Sequence, residues 1–324
     1  DDLAAATGGT MELSPFDLAS RGRSTPMVWF YKETLDSAAL LSALQRTLEA
    51  YPVLCGRYAS PPIAAELNNA GVPVQVCTAP AVSFSEATAH LPLSVGHTSP
   101  CFFPRTTHEP FTPAKEGMDP DSGSPDSPLI SIKITVFPEG GTAIGMLLQH
   151  GIGDADAQIA FMNNWSRVFR GLSLEPAPLH ERCIVNELAA GDIGADGKPG
   201  GWKIKVVPPG ETPVPEFMGV MPKIMGNQVC VVPFPKSKLK ELKAAVSAGL
   251  PEGQFVSTDD VISAHVWQAL CKARCEQLGL PADSEEVTTL SRAWNFRQRT
   301  EPPLGAGYCA NGVTQVCTDL TVRE

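Results

Sequence analysis

Gln149-His150-Gly151-Ile152-Gly153-Asp154 sets one histidine at the end of an apolar run, and two glycines then break that run. The preceding Thr142-Ala143-Ile144-Gly145-Met146-Leu147-Leu148 reads as a buried strand. Pro138-Glu139-Gly140-Gly141 is a turn joining it to a second strand, residues 130–137. His150 therefore stands where a strand end delivers a side chain. An ordinary histidine pKa of about 6.5 leaves a neutral imidazole able to take a proton from a hydroxyl or amine. A helix is expected over about 155–170, with Ile159, Phe161, Met162, Trp165, Val168 and Phe169 as most of its apolar surface and Gly171 as its stop.

Outward from that core, the first half alternates strands and helices. Pro26–Tyr31 is a strand. The next helix runs from about Ser37 to Ala50, capped by Asp36, with Leu40, Leu41, Leu44 and Leu48 as its apolar stripe. Strands are expected near Val53–Tyr58 and Val72–Cys77, followed by a Pro-, Gly- and Ser-rich loop over about 104–128 that should be mobile. From Glu175 to Val229 prolines accumulate and regularity fades. Beyond it come a strand at Val229–Val232, helices over 237–247 and 258–278, and strands over 287–295 and 313–322. The division is thus a domain at 1–175, a crossover linker at 176–229 and a further domain at 230–324.

A chain of 324 residues fits two α/β domains, each a mixed sheet flanked by helices. With 35 acidic against 25 basic residues the formal charge is −10, which opposes nonspecific nucleic-acid binding. No run approaches the ~18 apolar residues of a membrane span, and Asp1-Asp2-Leu3-Ala4 has neither the basic nor the apolar part of a secretion signal. The expectation is a cytoplasmic monomer, with removal of a transit segment ahead of residue 1 left open. Nine dispersed cysteines read as small buried thiols in a reducing compartment; Cys271 and Cys275, one helical turn apart, do not make a zinc knuckle, and no metal is expected.

Several segments met in order resemble the BAHD family of acyl-CoA-dependent acyltransferases. They are Leu13-Ser14-Pro15-Phe16-Asp17, Thr25 through Tyr31, Tyr51-Pro52-Val53-Leu54-Cys55-Gly56-Arg57, and His150 through Asp154. Ser257 through Trp267, Asn295-Phe296-Arg297-Gln298-Arg299, Pro302-Pro303-Leu304, Tyr308 and Asn311-Gly312 continue the series. The resemblance implies a two-domain chloramphenicol-acetyltransferase-like fold with the active site between the domains. It makes His150, in the His-x-x-x-Asp motif, the general base that deprotonates a small-molecule alcohol or amine. The acceptor then attacks the thioester of an acyl-CoA, which is a co-substrate and not a permanently bound cofactor. On this reading His150→Ala nearly abolishes turnover.

Residue types alone leave Asp154 and Asp156 equally open to an ion pair or to capping the helix that follows. The resemblance pairs Asp154 with Arg297, as structural support of the catalytic loop, and leaves capping to Asp156. Two departures stand out. Ala155 replaces a glycine usual in the motif, and the family's Asp-Phe-Gly-Trp-Gly signature is absent before Glu324, so the second domain is expected to be incomplete. A fragment, a protein completed by another chain and a shortened relative all fit that absence.

Two other functions compete. Condensation domains acting on carrier-bound substrates share the fold but usually have two adjacent histidines, where this chain has Gln149 before His150. The other is a non-catalytic accessory protein that keeps the fold and binds a partner. Among the remaining residues, His265 reads as a packing histidine within a helix. His90, His97, His108 and His180 lack metal-ligand spacing. Ser257, Thr258 and Asp259 fit either a capping box completed by Asp260 or a phosphate of CoA. The Lys236–Lys243 run reads as a solvated helix face. Trp29 and Tyr31 read as core, or as the lining of an acyl or acceptor pocket. No residue is assigned to hold CoA.

Overall fold

The computed structural model describes residues 8–61, 63–78, 80–89, 109–113, 126–182, 184–185, 232 and 234–323. Its contacts divide the chain into two units, residues 1–229 with 295–313, and residues 230–294 with 314–324. The first unit contains β1 (Thr10–Glu12), α1 (Pro15–Ser20), β2 (Ser24–Tyr31), α2 (Ser37–Leu48), β3 (Arg57–Tyr58), β4 (Ala64–Glu66), β5 (Val74–Cys77), α3 (Phe84–Thr88), β6 (Ile130–Val136), β7 (Thr142–Gln149) and α4 (Ala155–Phe169). The second contains α5 (Lys236–Ser247), α6 (Thr258–Leu278) and the paired strands β8 (Val287–Asn295) and β9 (Val313–Thr321), whose ends Asn295 and Val313 cluster with the first unit.

The strand before His150 is the centre of the first unit. β7 lies between β2 and β6, antiparallel to both, and β5 adds parallel to β6, giving the order β2-β7-β6-β5. All eight residues of β7 are buried because both sheet faces are covered. Ile130, Ile132 and Ile134 of β6 with Ile144, Met146 and Leu148 of β7 face a core completed by Leu40 and Leu44 of α2 and by Phe161, Met162 and Trp165 of α4. Trp165 Nε1 donates to the Leu40 carbonyl at 3.0 Å, so the one polar atom of the ring is satisfied inside that core. Ala143, Phe111, Phe137 and Ala87 form a smaller cluster, with Phe30 and Phe84 against it. Full burial of each Ile, Leu, Met or Phe side chain here contributes roughly 1.5–3 kcal/mol. The hairpin turn needs its glycines: Gly140 and Gly141 have φ of +110° and +101°.

Helix starts follow the sequence signals. Asp36 Oδ1 accepts from the backbone N–H groups of Ala38 and Ala39. The capping box of Ser257 and Asp260 is formed in both directions. One local expectation gives way: Pro52–Cys55 is a 3₁₀ turn, and only Arg57–Tyr58 is extended. The Leu54 N–H returns to the Tyr51 carbonyl and the Gly56 N–H to the Val53 carbonyl, each at 3.0 Å, which closes a tight turn instead of a strand.

Asn295–Val313, assigned from sequence to the 230–324 segment, clusters with the first unit. Tyr308 bridges to Leu179, and Arg297, Tyr308 and Asn311 are all buried. The strand expected near Val229–Val232, except Val232 itself, lies outside the described residues, as do most of 104–128 and of 176–229, and His90, His97 and His108. Among the described residues no helix is long and apolar enough to cross a membrane.

Candidate active site

His150 continues the ladder one step beyond β7. Ser24 pairs with Gln149, and the His150 N–H donates to the Arg23 carbonyl at 2.7 Å. The chain then turns at once, with the Ile152 N–H returning to the Gln149 carbonyl at 2.8 Å. The imidazole is half-buried, and its Nδ1 lies 3.1 Å from Asn311 Oδ1. Burial holds its pKa below the ordinary histidine value; the Arg23 charge acts the same way, while its own backbone, Asp154 and Asn311 oppose.

Asp154 and Arg297 are brought together as a buried bidentate pair. Arg297 Nη1 donates to Oδ2 at 2.9 Å and Nη2 to Oδ1 at 2.8 Å, with both side chains almost fully buried. The guanidinium also donates to the carbonyls of Tyr308 and Ala310 and lies 5.6 Å from the centroid of the Tyr308 ring. Asp154 does the capping as well: its Oδ1 accepts from the Ala157 N–H at 3.0 Å, and its Oδ2 accepts from the Gly312 N–H at 2.8 Å. Ion pair and cap, set against each other from sequence, are thus one side chain's two jobs. Asp156, expected to be the cap, sits in the first helical turn, accepts from Asn295 and lies 3.7 Å from Arg297 Nη1. Gly312 makes room for this pair, since a Cβ there would fall 2.5 Å from Arg297 Nη1.

A second buried ion pair holds the other side of the histidine turn. Asp17, fully buried, lies 2.9 Å from Arg182 Nη1, and Arg182 Nη2 donates to the Ile152 carbonyl at 2.7 Å. Asp17 Oδ2 accepts from the Ser14 backbone and hydroxyl, while Oδ1 accepts from Asn311 N at 3.1 Å and from Asn311 Nδ2 at 2.7 Å. Asn311 Nδ2 also donates to the His150 carbonyl at 2.8 Å. Asp17 entered the sequence reading only as part of a family motif, although Ser14-x-x-Asp17 carries the spacing of a capping box. Arg182 escaped it altogether, because nothing local marks an arginine whose partner lies 165 positions away.

The other candidates separate from this site. His265 is exposed, with its ring 6.5 Å from that of Phe234, so it does not serve as packing. His180 is buried; its Nε2 lies 2.7 Å from the Ala50 carbonyl and its Nδ1 3.1 Å from Cys309 Sγ. Burial pushes the Cys309 thiol up to about 12 and the His180 imidazole down, which makes the pair a neutral packing contact. Of the six described free cysteines only Cys309 is buried, so burial was overestimated for the rest. Among the described residues no three His, Cys, Asp or Glu side chains cluster as metal ligands. Ser257 and Asp260 form their capping box, and Arg292 pairs with Asp259 and Asp260. α5 buries none of its residues, in keeping with a solvated face. Trp29 and Tyr31 pack partly buried against the main core.

The model of the Transferase family matches residues 4–324. The chain belongs to that family, the BAHD acyltransferases. Among BAHD relatives, the hydroxycinnamoyl-CoA:5-hydroxyanthranilate N-hydroxycinnamoyltransferase of Avena sativa is 27% identical over 92% of this chain. The shikimate O-hydroxycinnamoyltransferase of Nicotiana tabacum is 28% identical, also over 92%. This chain spans 65% and 64% of their lengths, less than two thirds of either. The crystal structure of F. sporotrichioides TRI101 complexed with coenzyme A and T-2 is 20% identical and covers 97% of this chain and 70% of its own, with a TM-score of 0.57. That likeness shows the fold, the mixed α/β chloramphenicol-acetyltransferase-like fold of the BAHD enzymes.

Proposed function

We propose that this BAHD protein transfers an acyl group from an acyl-CoA thioester to a small alcohol or amine, with His150 as the general base. The observation that carries the reading is the fixed histidine turn. A half-buried imidazole whose pKa burial lowers stands at the end of the central strand, and a buried bidentate Asp154–Arg297 pair fastens the residues that follow it. The family supplies the chemistry for which such a base is suited. The acceptor's proton passes to the imidazole as its oxygen or nitrogen bonds to the thioester carbonyl carbon. The tetrahedral intermediate then collapses, the carbon–sulfur bond breaks, and the imidazolium returns the proton to the departing CoA sulfur. No covalent acyl-enzyme is needed. Base catalysis of this kind contributes ~10²–10⁴-fold, with positioning and stabilisation of the oxyanion supplying the remainder.

The acceptor class rests on the relatives, whose names include both N- and O-hydroxycinnamoyltransferases. The donor rests on the hydroxycinnamoyl-CoA in the first of those names and on the coenzyme A of the TRI101 complex. The test is to incubate the protein with acyl-CoA and mixed alcohols and amines while following free thiol. Acceptor-dependent thiol release that disappears in His150→Ala is the expected result. Release that survives the substitution overturns the role of His150, and none from the unaltered chain overturns its activity as an acyltransferase.

A further inference from the structure

We propose that one water molecule is bound inside the first unit, against the histidine turn, held between Gln158 of α4 and the hydroxyl of Tyr51. Gln158 is completely buried. Among the described residues neither its Oε1 nor its Nε2 has a hydrogen-bond partner. An amide shut away from solvent and left unpaired is unfavourable, and folded proteins rarely keep one. The side chain lines a cavity of about 10 Å³ whose wall also includes Tyr51, Leu148, Ile152, Phe161 and Cys309. A single water needs roughly 10–15 Å³ of such space, so the cavity admits one water and nothing larger. Leucine or methionine would occupy the volume of Gln158 without needing a partner; what calls for the water is the amide itself.

Tyr51 supplies the third polar group. Asn164 Nδ2 donates to the Tyr51 oxygen at 2.8 Å and to the Pro176 carbonyl at 3.0 Å, while Asn164 Oδ1 accepts from the Glu175 N–H at 2.8 Å. The Tyr51 oxygen is therefore the acceptor in that contact, and its own hydrogen is directed elsewhere. Burial raises the Tyr51 pKa to about 12, so the hydrogen stays on the ring oxygen. The Cys309 thiol on the same wall is already engaged by the Leu179 carbonyl and by His180. One water that accepts from Tyr51 and from Gln158 Nε2, and donates to Gln158 Oε1, uses all three groups and has the two to four partners that a buried water takes. It ties the tight turn that Tyr51 opens, Pro52–Cys55, to the start of α4, where the Gln158 N–H returns to the Asp154 carbonyl at 3.0 Å.

The test is a crystal structure of the full chain together with a double-mutant cycle. Electron density for one water is expected at hydrogen-bonding distance from the Tyr51 oxygen and from both ends of the Gln158 amide. It should vanish in Gln158→Met, which keeps the volume and removes the amide. In thermal denaturation Gln158→Met and Tyr51→Phe should each lower the melting temperature by about 2–4 °C, and the double variant by less than the sum, because the two groups share one partner. An empty cavity, density that persists in Gln158→Met, or a Gln158 amide bonded directly to Tyr51 overturns the proposal. So do additive losses, or a melting temperature that rises in Gln158→Met, which is the sign of an amide buried without partners. If crystals do not form, a nuclear Overhauser contact between water and the Gln158 side-chain amide replaces the density, and its absence overturns the proposal in the same way. None of these readouts involves thiol release, so failure of the acyl-transfer reading and failure of this one are told apart.

Discussion

α4 and α6 begin on equally clear capping signals and end up in different surroundings. α4 starts at Asp154, which accepts from Ala157, and buries Ala157, Gln158, Phe161, Met162, Asn164 and Trp165. α6 starts at a complete Ser257–Asp260 capping box and is longer, yet Val261 is the one residue it buries among those described. Its apolar residues fall on every side, and Val266, Leu270 and Leu278 are exposed. Capping decides where a helix starts through a few local hydrogen bonds; burial depends on which distant segments reach it. The contrast extends to polar groups. Beside α4, two buried Asp–Arg pairs hold a turn, whereas the partly exposed aspartates at the start of α6 pair with Arg292 of β8.

If the histidine turn is the working part of the first unit, His150→Ala should remove ~10²–10⁴-fold or more of the rate of thiol release, with no comparable change in stability. Equal losses of rate and of melting temperature would show that the ring supports the fold instead. Next in size is the Asp154–Arg297 pair. Asp154→Ala leaves a buried guanidinium without its partner and removes a helix cap, so about 3–5 kcal/mol of stability should disappear in denaturant titration. A loss below about 1 kcal/mol would mean that water reaches the pair and that the contrast between the two helices is weaker than drawn.

The pH dependence tests the same turn from another side. Burial lowers the pKa of both His150 and His180. Between the lowered folded values and the ordinary value of about 6.5, the unfolded chain binds more protons than the folded one. Stability should therefore rise with pH through that window and be lost as pH falls through it. With His150 as the proposed base, the acidic limb of kcat/KM should also fall below about 6.5, because a buried imidazole stays neutral to lower pH. A limb at or above that value would require a fully solvated or anion-paired imidazole.

Smaller effects are expected in the second unit. Ser257→Ala should cost about 1 kcal/mol, read as earlier loss of helix signal on heating, since one cap is removed with little packing around it. Leu270→Gln, at a side chain 64% exposed, should stay within about 0.5 kcal/mol. A large loss there would mean that this face is covered in solution and would remove the contrast between α4 and α6.

The hairpin ending at His150, the helices 37–48, 155–169 and 258–278, and the caps of the first and last of these are legible from periodicity, turn residues and capping spacing, because those signals lie within a few residues of each other; the cap of 155–169, expected at Asp156, is Asp154. The bidentate pair was reached through family resemblance alone, since spacing left Asp154 open between two roles. β-Branched and aromatic residues suit a strand over Val53–Tyr58, but Pro52 starts a tight turn that the Leu54-to-Tyr51 and Gly56-to-Val53 backbone bonds close. Arg182 and the contacts of Asn311 were illegible for a different reason: each depends on a partner more than 160 positions away.

By itself, then, the amino-acid order determined where the strands and helices lie and placed one histidine at the mouth of the central strand, through interactions between near neighbours. The tertiary structure decided what surrounds that ring. Asn311 reaches the ring, and Asp17, Arg182 and Arg297 reach the turn around it, only after the chain has folded, and only there does a buried carboxylate meet the amide and guanidinium groups that satisfy it.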